Sequence, residues 1–258
     1  MFRIRIQNKK KCIWYCSAVV SFLLFLLLLG WTNHLANTQD AQQMAGRWSE
    51  KKDVAQISCF FSSKAEVTED TIQSFEYSLK NVLQEASITE TSENPSARLW
   101  VDAYSADGKI TLVNGKNTLD ANAIGIGGDF FMFHPLKLIT GAYFSGNDLM
   151  QDYCIIDQDA AWQLFGSNDV VGMTVYIGNV PHIVTGVVQR PDSRMDKAAG
   201  LNSTVVYVSY ETLSAYGTNN GINHYEIVMP NPVDEFAYGK VKEGIGIDEK
   251  NVEIVENS

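Results

Sequence analysis

Signatures of metal binding and nucleophilic catalysis are the first things this sequence lacks. Its four histidines, His34, His134, His182 and His224, stand far apart. They show no HExxH spacing and no CxxC partner, so no metal set can be read from them. No GxxxxGK[ST] run occurs. The one glycine-rich stretch, GIGGDFF (Gly125 to Phe131), places Asp129 where a phosphate cradle needs a lysine. It reads as a tight turn that lets the chain pass close to a sheet. No GxSxG or SxxK arrangement marks a serine nucleophile. The acidic pairs Asp157/Asp159 and Asp234/Glu235 flank helix starts, where capping and the helix dipole account for them. His134, between Phe133 and Pro135, reads as a packing or capping residue. The sequence therefore offers no catalytic, cofactor-binding or metal-binding residue. It reads as a non-enzymatic chain with no cofactor.

Cysteine and positive charge are also sparse. There are four cysteines: Cys12 and Cys16 lie in or beside a long apolar run, while Cys59 and Cys154 sit in strand-like apolar stretches (ISCFF and YCII). That is the usual setting of a buried thiol, and a single pair makes no disulfide framework. Five of the 20 Lys and Arg residues precede or open the apolar run. The rest of the chain sets 15 basic residues against all 30 acidic ones, a formal charge of −15. Such a surface repels nucleic acid and anionic lipid, so no nucleic-acid partner is expected.

Only one stretch is long and apolar enough to cross a bilayer. CIWYCSAVVSFLLFLLLLG, Cys12 to Gly30, carries no charged side chain. At about 1.5 Å per residue it spans roughly the 30 Å of a hydrocarbon core. Arg3, Arg5, Lys9, Lys10 and Lys11 come before it, and the first charged residue after it is Asp40. The positive-inside rule then places the N-terminus in the cytoplasm and residues 32–258 outside. A cleaved signal peptide is the rival reading, but its apolar region would be shorter and followed by a better small-x-small site than the one near Ala36. A retained single-pass anchor is the expectation, with 1–31 as basic tail and membrane helix.

The remaining chain reads as α+β. DVAQISCFFS is strand-like. TEDTIQSFEYSLKNVLQEA begins at Thr68 as a capped amphipathic helix with Ile72, Phe75, Leu79, Val82 and Leu83 on one stripe. ARLWVDAYS (97–105) reads as a strand, and Asp107-Gly108 as a turn into KITLV. At the far end HYEIVM (224–229), a helix in PNPVDEFAYGKVKEG and NVEIVE (251–256) repeat the strand–helix–strand theme. Two β-α-β units could thus share one split sheet, with residues of about 50–118 and 222–258 forming one lobe. Residues of about 119–221 would form an inserted, mostly-β lobe. Within that lobe, Asp157 caps a short helix that carries Trp162 and Phe165 inward and ends at Gly166. A hairpin turns at Gly178-Asn179, and Gln189 to Ser203 form an exposed loop.

The middle of the chain resembles the extracytoplasmic core domain of MacB-like ABC transporter permeases, of the MacB/FtsX type. A Phe-rich turn leads into a G-x-x-F/I-x-x-x-D segment, matched by Gly141, Phe144 and Asp148. An A-x-x-L-F-G helix follows, matched by Ala161, Leu164, Phe165 and Gly166. Val171-Gly172 and a hairpin ending in V-x-G-V-V (Val184, Gly186, Val187, Val188) come next. The resemblance implies a membrane-anchored bacterial protein with a two-lobed ectodomain, one lobe porter-like and one inserted. It also implies as partners a cytoplasmic ABC ATPase subunit and the remaining permease helices, with an extracytoplasmic protein or peptide as a further partner. Such a domain couples the ATPase to export or to mechanical signalling outside the membrane. The family usually adds three membrane helices after this domain, and none follows here. The expectation is therefore a truncated permease, half of a split one, or a freestanding relative. A membrane-anchored binding or sensing protein that has lost transport is the alternative reading.

Overall fold

The computed structural model describes residues 9–36, 40–49, 53–89, 98–190, 198 and 203–257. Two units are distinguished, Met1–Asp40 and Ala41–Ser258. The first is built on helix α1, Lys9–Ala36. Its stretch Ile13–His34 has a mean hydropathy of 2.3, and its large apolar side chains stand exposed all round. A helix with no polar face has no water-facing side, so its natural solvent is lipid. Even its threonine is turned inward: the Thr32 hydroxyl lies 3.0 Å from the carbonyls of Leu28 and Leu29.

The second unit is α+β, built on one large mixed sheet. In chain order it comprises α2 (Met44–Trp48), β1 (Val54–Phe61), α3 (Glu69–Glu85), β2 (Val101–Asn114), β3 (Asn117–Gly128), α4 (Phe130–Phe133), β4 (Leu138–Gly141) and β5 (Tyr153–Asp157). Then come α5 (Gln158–Phe165), β6 (Thr174–Ile177), β7 (Val180–Val188), β8 (Val205–Ser209), α6 (Tyr210–Tyr216), β9 (Thr218–Asn219), β10 (His224–Pro230), α7 (Phe236–Gly244) and β11 (Val252–Asn257). The strand order is β11-β1-β10-β2-β3-β8-β5-β7-β4, with β6 pairing both β2 and β7. The ladder β2-β3-β8-β5-β7-β6 therefore returns to β2 and closes on itself. Closure removes the open edges that a flat sheet would present. Its interior is filled by small and branched residues, among them Ala106, Leu112, Ala123, Ile156, Val184 and Val206.

On the other side of β2, strands β10, β1 and β11 form an antiparallel sheet. Period-2 alternation turns Ile57, Cys59, Tyr225 and Ile227 toward α3 and α7, where they meet Ile72, Phe75, Leu79 and Val241. Thr68 opens α3, donating its N–H to Thr71 Oγ1 at 3.4 Å, and Glu69 and Asp70 occupy the first turn. Gln56, Ser58 and Glu226 lie on the opposite face, beneath α2 and α4.

Strand β2 corrects one expectation. Asp107-Gly108 is no turn: the strand runs unbroken from Val101 to Asn114, and the hairpin turns at Gly115-Lys116. Gly108 is needed instead for close approach, because a Cβ there would come within 2.3 Å of the Thr218 carbonyl on β9. The first part of β2 pairs β10 and the rest pairs β6 and β9, so one strand serves both halves of the sheet.

A second correction concerns α5. Its buried face is Ala160, Ala161 and Leu164. At about 100° per residue, Trp162 falls roughly 150° from the centre of that face and Phe165 about 90°. Trp162 is accordingly 59% exposed, while Phe165 packs half-buried against the core. The loop from Gln189 to Ser203 lies mostly outside the described residues. Cys59 and Cys154 are buried free thiols, both pushed up to about 12, by burial in each case and for Cys59 also by the charge of Glu226.

Candidate functional site

The residues singled out in the sequence mostly have structural duties. Asp157 caps α5 through Ala160 N–H at 2.7 Å and also accepts from Val205 N–H at 3.0 Å. Arg190 bridges Asp157 (2.9 Å) and Asp159 (2.6 Å). Asp129 occupies the N-cap position of α4 and pairs with Arg98 at 2.5 Å. Glu235 stands at the N-cap of α7 but makes no capping bond. Asn231 does that work, its Oδ1 accepting Ala237 N–H at 3.0 Å. His182 is buried between the Val180 carbonyl (3.0 Å) and Thr212 Oγ1 (3.2 Å), and burial pushes its pKa below the usual value. His34 lies in the exposed last turn of α1.

Two clusters of polar chemistry come together only in the fold. The first lies in a cleft of about 630 Å³ between α3 and the start of β2, lined among others by Glu69, Glu76, Arg98, Trp100, Asp102 and Tyr104. Glu76 is pushed up to about 8, first by burial and then by the charge of Asp102. Burial also raises Asp102, offset in part by hydrogen bonds from Glu76 and from Tyr225, whose hydroxyl donates to Oδ2 at 3.0 Å. Burial and the mutual repulsion of the two carboxyls thus favour a proton shared within the pair. The cleft presents acid and aromatic surface, a lining suited to a cationic or hydrogen-bond-donating group.

The second cluster is on the opposite face of β10. His224 and Glu226, two residues apart, project on the same side, and His134 reaches them from the C-terminal end of α4. His134 Nε2 lies 2.5 Å from Glu226 Oε2, and His224 Nε2 lies 3.9 Å from Oε1. Ser58 Oγ and Gln56 Nε2 donate to Oε1 at 3.0 and 3.3 Å. Phe60 stacks on His224 with centroids 4.7 Å apart, and Phe130 leans on His134 at the same spacing. Burial by itself would raise the Glu226 carboxyl. The close approach and charge of His134, with His224 and the Ser58 hydroxyl, bring it below the usual range. Burial lowers His224, against the pull of Glu226. These three residues could hold a metal ion, their ligand atoms all lying within 4.8 Å of one another. His134 was expected to do no more than pack or cap. The one sequence signal here was His-x-Glu on a strand, two polar groups on a single face.

A family model described as the MacB-like periplasmic core domain matches residues 20–254. The chain belongs to that family. Membership brings the second half of α1 and the whole sheet unit under one family description, and together they indicate a membrane location. The macrolide export ATP-binding/permease protein MacB of Chromobacterium violaceum is 32% identical over 99 residues, which is 38% of this chain and 15% of that protein. The protein of the same name from Pasteurella multocida is 30% identical over 98 residues, 37% of this chain and 14% of that protein. The matched stretch is thus a small part of these relatives. The crystal structure of the periplasmic region of MacB from Actinobacillus actinomycetemcomitans superposes with a TM-score of 0.50 at 19% identity, covering 78% of this chain and 88% of that one. That likeness establishes the fold. The family is one of permease periplasmic domains rather than of enzymes.

The motif residues of this MacB-like domain explain themselves as folding devices. Gly141 has φ +86°, and a Cβ on it would meet the Thr185 carbonyl at 2.1 Å. Phe144 is buried against Phe131, and Asp148 Oδ2 accepts Ser145 N–H at 3.0 Å to close the turn. Ala161 and Leu164 are core, Gly166 is the left-handed C-cap of α5, and Val184, Val187 and Val188 are buried in β7.

Proposed function

We propose that this chain supplies the extracytoplasmic domain of an ABC transporter permease and couples a cytoplasmic ATPase partner to export or to mechanical signalling outside the membrane. The observation that carries the proposal is the family match, which runs from within the apolar helix through the sheet unit. The basic residues that precede the uncharged run Cys12–Gly30 favour the N-terminus inside and residues 32–258 outside. The ectodomain is taken as two lobes, a porter-like one (50–118 and 222–258) and an inserted one (119–221). Strand β2, continuous through both halves of the sheet, supports a relay reading, because an unbroken hydrogen-bonded strand passes displacement without a hinge. The working parts would be the anchor, β2 and the exposed loops, with ATP hydrolysis left to the partner.

Two measurements test this. An alkaline phosphatase fusion after Ser258 should be active and a cytoplasmic reporter at the same point silent; the reverse pattern sinks the orientation. The chain, tagged and extracted from native membranes, should bring down an ABC ATPase subunit. Extraction that retains other membrane partners but no ATPase, with export unchanged on deletion of this chain, would favour the freestanding binding reading.

A further inference from the structure

We infer that His134, His224 and Glu226 form a binding site for a divalent cation of the zinc class. An ion pair would account for His134 beside Glu226, but it leaves His224 unexplained. His224 Nε2 is shielded from solvent and has no hydrogen-bond partner among the described residues, and Glu226 Oε2 has no well-directed donor. Two buried polar atoms of one cluster are thus left without a directed hydrogen bond, one of them on a side chain that is itself 5% exposed. Two ligands of a tetrahedral zinc ion stand about 3.4 Å apart when each is about 2.1 Å from the metal. His134 Nε2 stands 2.5 Å from Glu226 Oε2 and His224 Nε2 stands 3.9 Å from Oε1, and ligand atoms of all three residues lie within 4.8 Å of one another, a spread that brackets that value. Adjustment of the two partly exposed imidazoles would bring all three ligands onto one ion.

The surroundings are those of a built site. Ser58 and Gln56 hold Oε1, leaving Oε2 as the ligand atom. Gln56 is itself fixed by accepting Met44 N–H (2.9 Å) and donating to the Ala41 carbonyl (2.6 Å). Phe60 and Phe130 set the two ring planes. Such outer contacts orient ligands and tune affinity. Two imidazoles and one carboxylate suit zinc and its late first-row neighbours. Magnesium and calcium, which favour all-oxygen sets, fit poorly. The net negative charge of residues 32–258 raises the local concentration of cations around the domain. Three protein ligands leave a solvent-side position for water. Bound metal would clip the end of α4 to β10, joining segments about ninety residues apart in sequence.

The test uses the full chain in detergent with a histidine-free tag, stripped with EDTA and titrated with zinc chloride against a chromogenic chelator. One equivalent should bind per chain, millimolar magnesium should not compete, and the unfolding midpoint should rise with zinc. His224→Gln and His134→Gln should each weaken binding by at least about tenfold, the loss that even outer-shell changes can cause. Far-UV circular dichroism would establish that the apo variants are folded. If a variant does not fold, X-ray absorption of the cobalt-loaded wild type decides: two imidazoles and one carboxylate support the site, and an all-oxygen shell refutes it. Absence of stoichiometric zinc, or zinc bound equally by the His134→Gln/His224→Gln double variant, overturns the inference and leaves His134 as the counter-ion of Glu226 alone.

Discussion

Replacing Asp157 by alanine is the perturbation from which the fold predicts most. This 2%-exposed carboxylate ends β5, caps α5, accepts from Val205 at the start of β8 and pairs with Arg190 just after β7. Loss of the cap costs about 1 kcal/mol. Leaving Val205 N–H without its partner adds about 1 kcal/mol, the low end because that residue is only half-buried. Breaking one side of a buried ion pair costs about 3–5 kcal/mol when the remaining charge has no other partner. Here Asp159 and Thr204 keep hold of the guanidinium, so the lower part of that range applies. These effects belong to one side chain and overlap. The total expected is about 3–5 kcal/mol, a large share of the roughly 5–15 kcal/mol that holds a typical domain. For a domain of this size that is a fall in midpoint of about 6–20 °C. The assay is thermal and urea unfolding of the detergent-solubilised chain, followed by tryptophan fluorescence. Adding Arg190→Leu should cost less than the two single changes together, by about 1–3 kcal/mol. A loss below about 1 kcal/mol with an unchanged urea slope, or strict additivity in the cycle, would refute the account of Asp157 as a junction of three strands and a helix.

Two further outcomes follow from side-chain position. Leu164→Ala should cost about 2–5 kcal/mol and Trp162→Ala under about 1 kcal/mol, although the two are neighbours on α5, because only Leu164 faces the core. Equal losses would mean that the helix is rotated from the face described. Glu76, raised from its ordinary 4.5 to about 8, binds a proton in the folded state that it has released in the unfolded one over that interval. Stability from this group therefore falls as pH rises from about 4.5 to about 8, and Glu76→Gln should flatten that fall in a pH series of unfolding midpoints. A variant whose pH profile is parallel to wild type would show that Glu76 titrates normally.

Legibility varied with how local the cause was. Helix α3 was readable because its cap, acidic first turn and apolar stripe all lie within seventeen residues. The hairpin at Gly178-Asn179 was readable for the same reason, both residues taking positive φ. Asp107-Gly108 misled because the same dipeptide serves a turn or a close approach, and only β9, more than a hundred residues later, decides which. Trp162 misled because apolarity was read without the helical angle. Of the cluster of His134, His224 and Glu226 only the His-x-Glu pair shows in the sequence, because α4 and β10 meet only through the strand order, which no spacing encodes. The carboxyl pair of Glu76 and Asp102 escaped for a similar reason. An acid in the apolar run ARLWVDAYS was the available sign, and its partner lies on a different element.

The motif that carries the family resemblance and the groups that could carry chemistry are thus separate sets of residues. Gly141, Phe144, Ala161, Leu164, Gly166 and Val184 are fixed by close approach, burial or a left-handed cap, so each would be required whatever the domain binds. Substitution among them changes whether the closed ladder forms, and with it everything mounted on that ladder. By contrast, the acidic groups of the cleft between α3 and the start of β2, and the imidazole–carboxylate cluster of His134, His224 and Glu226, are not among the motif positions. Chemistry particular to this chain is accordingly to be sought at Glu76, Asp102, His134, His224 and Glu226, where packing alone does not dictate the residue.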